Sequence, residues 1–125
     1  MKLTLVLWVG LGGALGSSMR YMISYLIQEN SSSGFPFGTF TVNIIGCLLI
    51  GLLIGFSIHR PESLSEQSRF LLSTGFCGGF TTFSAFSAET FSLLDKGEIT
   101  TALMYVFLSI LVGLIATGIG ILLVK

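Results

Sequence analysis

The sequence predicts an all-α integral membrane protein of four transmembrane helices, the third of them broken in mid-membrane. Three observations carry this. Hydrophobic residues make up 52% of the 125-residue chain and charged residues only 10%, with mean hydropathy +0.92, far too apolar for a water-soluble domain. Four apolar runs, at about Leu3–Ile27, Gly38–Ile58, Phe70–Leu94 and Thr101–Val124, each reach the roughly 20 residues that span a hydrocarbon core. The third run contains "GFCGGFTTFSAF", Gly75 to Phe86, a composition foreign to a plain membrane helix.

The first run, Leu3–Ile27, also carries signal-peptide cues: Lys2, an apolar stretch and the small residues of "GALGS". Cleavage after Gly16 would leave three spans and discard a glycine-rich helix face, so the segment reads as a span. Arg20 lies near its end, where a charge must snorkel, pair or face water. Glu29 is the pairing candidate; a vestibule cation that draws an anion is the alternative reading.

The second run, Gly38–Ile58, holds Asn43 in "FGTFTVNIIG". Its amide needs partners in an apolar setting, either on a neighbouring helix or along a permeation path. In the third run, Gly75, Gly78 and Gly79 each weaken a helix by about 1 kcal/mol relative to alanine, and Thr81 and Thr82 add β-branched positions. A helix break is expected here, and carbonyls freed at that depth are cation ligands. After it, Phe83 and Phe86 fall at i, i+3 on one face. Aromatic edges are positive and can accept an anion, although rings at helical spacing are more often core packing. In the fourth run Tyr105 and Ser109 put two hydroxyls one turn apart.

The single four-helix domain leaves three short connections. N-terminus, middle connection and C-terminus share one side, with Lys2, Arg60, Arg69 and Lys125; the other carries Lys96, and Arg20 if it reaches that interface. So small an excess instructs orientation weakly, leaving both ordinary N-in insertion and dual topology open. The pairs Gly12/Gly16, Gly51/Gly55 and Gly75/Gly79 suit close helix contact, within a subunit or between subunits. Four helices fill their own centre with side chains, which favours an oligomer if anything hydrated is conducted.

Cys47 and Cys77 lack metal-ligand spacing, and His59 stands at a span end. No nucleophile with a base, paired carboxylates, phosphate loop or basic nucleic-acid patch can be assembled. An enzyme or a nucleic-acid binder is therefore not expected.

"GFCGGFTTFSAF", with "GGALGSSMRY" in the first span and "GTFTVNIIG" in the second, resembles the CrcB or Fluc family of small bacterial fluoride channels over nearly the whole chain. The resemblance implies an antiparallel, dual-topology homodimer in the cell's inner membrane, with two fluoride pores along the subunit interface and a structural sodium ion at the centre. It further implies roles by motif position. Phe83 and Phe86 are the pore rings, Asn43 an ion donor with Thr39 one turn before it, and Arg20 the vestibule arginine. Tyr105 and Ser109 are pore hydroxyls, Glu89 is the acid after the motif, and the backbone carbonyls of Gly78 and Thr81 hold sodium. Ala85 stands where relatives often carry threonine. Some members of the family pair with a differently oriented paralogue. The implied mechanism is passive: hydrogen fluoride enters and dissociates inside, and a potential of about 100 mV contributes about 2.3 kcal/mol per charge to efflux. Two competing readings are a small multidrug-type transporter, which would want an acid in the first helix where this chain has only Arg20, and a non-conducting assembly protein.

Overall fold

The computed structural model describes all 125 residues and is helical throughout, without strands. Its elements are α1 (Leu3–Glu29), α2 (Phe37–His59), α3 (Glu66–Phe70), a π-helical stretch (Leu71–Cys77), α4 (Gly78–Phe80), α5 (Phe83–Asp95) and α6 (Ile99–Leu123). Three of these, α1, α2 and α6, are each long and apolar enough to cross a membrane. Within the run from Glu66 to Asp95 no single helix reaches that length, because Thr81 and Thr82 are extended, with φ/ψ of −89°/158° and −148°/120°.

The helical run before the break starts at Glu66, four residues ahead of the apolar boundary at Phe70. Ser65 explains the early start: its Oγ accepts the Ser68 amide at 3.1 Å, satisfying a donor that the first turn leaves open. Thr82 starts α5 in the same way, with Oγ1 accepting the Ala85 amide at 3.2 Å.

Two close pairings organise the molecule. Helix α2 packs along α6, and α1 packs along the run from α3 to α4. The break redirects the chain: α4 lies on α1, whereas α5 lies on α6 and α2. The glycines make these approaches possible. A Cβ on Gly12 would overlap the Leu71 carbonyl oxygen and lie 2.8 Å from the Phe76 amide; one on Gly79 would lie 2.6 Å from the Gly13 carbonyl. On the other pair, Gly51 rests on the Thr117 carbonyl and Gly55 meets Ile121 and Val124. All three G-x-x-x-G pairs are thus consumed inside one subunit.

The glycines of the third run also differ from expectation. Gly75, Gly78 and Gly79 remain helical, in π or α form. The interruption falls on the two threonines after them, while Gly75 and Gly79 provide the seat for α1.

Candidate functional site

The break is held by side chains from two other helices. From α2, Asn43 grips both backbone groups of Thr82: Oδ1 accepts the Thr82 amide at 2.8 Å and Nδ2 donates to its carbonyl at 3.1 Å. From α1, the Arg20 Nε–H donates to the Gly79 carbonyl at 3.0 Å. Arg20 does not ion-pair with Glu29; the molecule's one salt bridge is Lys2–Glu66, at 2.9 Å. Gly46 leaves room for Thr81, whose methyl a Cβ there would overlap.

These contacts free two carbonyls. In a continuous helix the Thr82 amide would serve the Gly78 carbonyl and the Ala85 amide the Thr81 carbonyl. Here the first donates to Asn43 and the second to Thr82 Oγ1. Thr81 turns its own hydroxyl back to the Cys77 carbonyl at 2.9 Å, so its side chain does not take the place of the missing donor.

Beside the break lies an open groove of about 520 Å³ whose walls include Asn43, Gly78, Thr81, Phe83, Phe86 and Ser109. The rings of Phe83 and Phe86 are 5.9 Å apart, centroid to centroid, with planes at 40°. They are not equivalent. Phe83 is 79% exposed, whereas Phe86 packs on Tyr105 at 5.0 Å. Ser109 Oγ is buried and has no hydrogen-bond partner in the chain.

The remaining predicted residues gather in a second place. Glu89 Oε1 accepts the Thr39 hydroxyl at 2.5 Å, and Oε2 accepts the Tyr105 hydroxyl at 3.4 Å, so α2, α5 and α6 meet at one carboxylate. Tyr105 is fully buried, with Phe35 edge-on to its ring at 5.4 Å. Thr39 and Glu89 line a separate, more polar cavity of about 390 Å³, which also takes in Tyr21, Ser24 and Gln28 of α1 and Lys96 after α5. Tyr105 and Ser109, one turn apart, therefore serve different surroundings: the first joins the carboxylate, the second faces the groove.

Sequence reasoning marked Thr82 only as a β-branched position at the break, and it missed the polar cavity altogether. Thr82 offers the backbone groups that Asn43 binds; its place as a cap three residues before Ala85 was the available signal. The polar cavity had none, since its walls come from separated parts of the chain.

The chain can be set beside known proteins on this geometry. The description "CrcB-like protein, Camphor Resistance (CrcB)" matches residues 7–121. The chain is 43% identical over 120 residues to the "Fluoride-specific ion channel FluC" of Flavobacterium psychrophilum, covering 96% of each. It is 49% identical over 121 residues to the protein of that name from Methylobacillus flagellatus, covering 96% of this chain and 94% of the relative. The Geotalea daltonii protein of the same name is 48% identical over 116 residues, 93% of each. Matched from the second turn of its first helix to the last turn of its final one, the protein belongs to the CrcB family.

Proposed function

We propose that this protein is a passive, fluoride-selective channel that lets cytoplasmic fluoride leave the cell and so limits its toxicity. Relatives at 43% to 49% identity bear the name of fluoride-specific channels, and membership of that family argues against enzymatic chemistry. The observation that carries the reading in this molecule is the open groove that brings Phe83, Phe86, Asn43 and Ser109 together. Ring edges, the amide hydrogen of Asn43 not used on Thr82, and the unpartnered Ser109 hydroxyl are donors suited to replacing the water around a small, strongly hydrated anion.

The working unit in this reading is an antiparallel, dual-topology homodimer in the inner membrane, four spans per subunit, with Glu66–Asp95 crossing as a broken pair. One subunit carries one open-sided groove, and a second copy closes it into a pore, giving two pores per dimer. Pairing with a differently oriented paralogue is the variant that the experiment below distinguishes. Arg20 supplies positive potential at the entrance, and Thr39, Glu89 and Tyr105 continue the polar route beyond Phe86.

The carbonyls of Gly78 and Thr81 fit a sodium ion: both have lost their helical donors, and both border the groove. Two such carbonyls from each subunit would make an all-oxygen set. A bound sodium ion would hold the two breaks together and add positive potential beside both paths.

The test is fluoride efflux from liposomes that contain the purified protein alone, read with a fluoride electrode and repeated with chloride inside. Rapid fluoride release with chloride retained is expected. Retention of both ions by folded, dimeric protein would point to a missing partner subunit or to a non-conducting role.

A further inference from the structure

We infer that Arg20, besides lending positive potential to the pore, is a positioning residue for the break, where it acts through the hydrogen bond of its Nε–H and not through its charge. The inference concerns the cation seat and rests in that respect on the sodium reading above.

A helix end leaves its last carbonyls without intrahelical donors. In the turn that ends at Phe80, the Cys77 carbonyl accepts from both the amide and the hydroxyl of Thr81, at 3.0 and 2.9 Å. The Gly79 carbonyl accepts from Arg20 Nε at 3.0 Å. Gly78 lies between them, its helical donor diverted to Asn43. Arg20 and Thr81 thus occupy the carbonyls on either side of Gly78, whose own carbonyl stays open.

The geometry of α1 makes Arg20 a firm anchor. Gly12 and Gly16 bring the α1 backbone against the π stretch, since Cβ atoms there would overlap the carbonyl oxygens of Leu71 and Phe76. Arg20 is one turn beyond Gly16, and so reaches the next turn of the opposing run. The bond to Gly79 is the only hydrogen bond that its guanidinium makes in the chain, and no carboxylate pairs with it. Without it the Gly79 carbonyl is an additional open group, and the last turn loses its tie to α1.

Side-chain length allows bond and charge to be separated. Glutamine places Nε2 the same number of bonds from the backbone as arginine Nε, so Arg20→Gln keeps the donor and removes the charge. Arg20→Met puts a methyl at that position and removes both. Arg20→Lys keeps the charge and carries its donor one atom too far.

Two measurements on purified dimer decide the matter: hydrogen–deuterium exchange of the Thr81–Ala85 segment, and the sodium dependence of thermal stability against N-methylglucamine. We expect Arg20→Gln to match the wild type in exchange and to stay within about threefold of its sodium half-saturation. Arg20→Met should exchange faster and need about five- to tenfold more sodium, the worth of a lost ordinary hydrogen bond. Arg20→Lys should behave like Met. Gln and Met behaving alike, or Lys alone behaving like the wild type, would overturn the inference in favour of charge. If Arg20→Met does not yield dimer, the contrast of Gln with Lys decides. A wild type indifferent to sodium would sink the sodium reading, while exchange at the break still settles the role of Arg20.

Discussion

Asn43 binds Thr82 at both of its backbone groups, accepting from the amide at 2.8 Å and donating to the carbonyl at 3.1 Å. A side-chain amide can replace a turn of helix in this way because it carries the same donor and acceptor as a peptide group. Replacing Asn43 by alanine leaves a partly buried amide without a partner, at a cost of about 1–3 kcal/mol. Asn43→Asp should be worse than alanine, since a carboxylate then faces the Thr82 carbonyl. Thermal unfolding in detergent measures both.

The close seat of α1 gives a sharper contrast. A Cβ on Gly12 would meet backbone that cannot swing aside, whereas one on Gly10 meets nothing within 4 Å. Gly12→Ala is expected to destabilise by about 1–3 kcal/mol, the usual range for overpacking. Gly10→Ala should be neutral or slightly stabilising because alanine favours the helix. Equal melting temperatures for the two variants would contradict the packing described for α1.

Around Glu89 the two hydroxyls are held unequally, Thr39 at 2.5 Å and Tyr105 at 3.4 Å. Thr39→Val keeps the shape and removes the short bond, and should cost about 1.5–3 kcal/mol, as for a hydrogen bond to a charged group. Tyr105→Phe keeps the ring contacts with Phe35 and Phe86 and should cost about 1 kcal/mol or less. Melting curves that reverse this order would show that the tyrosine, not the threonine, fixes the carboxylate.

Phe83 and Phe86 separate conduction from packing. Phe83 is 79% exposed within its own chain, so Phe83→Ile should leave the fold of the subunit within about 0.5 kcal/mol, as surface changes do. Phe86 rests on Tyr105, and Phe86→Ile should cost about 1–3 kcal/mol. Fluoride efflux from liposomes should fail in both. Efflux at the wild-type rate in Phe83→Ile would remove the ring from the pore.

The sequence by itself determined the class of structure, because hydropathy is a sum over residues and needs no neighbours. A chain with 10% charged residues and apolar runs of helical length has one solvent available to it, and its motifs were specific enough to reveal the family. It also marked Gly75–Phe86 as the unusual stretch. What it could not fix was the division of labour inside that stretch: glycines and threonines together marked a break, yet the glycines stay helical and seat α1, while Thr81 and Thr82 alone interrupt the helix. Intrinsic propensity gave way there to contacts from Arg20 and Asn43, 59 and 39 residues away along the chain. The π stretch at Leu71–Cys77 had no sequence signal at all. Likewise, the one-turn spacing of Tyr105 and Ser109 suggested a shared role, but α5 and α2 supply Tyr105 with a carboxylate beside Thr39 and leave Ser109 facing the groove. Tertiary structure decided which polar groups are satisfied and which stay open, because a hydrogen bond depends on where a partner from another helix arrives, and no local pattern records that.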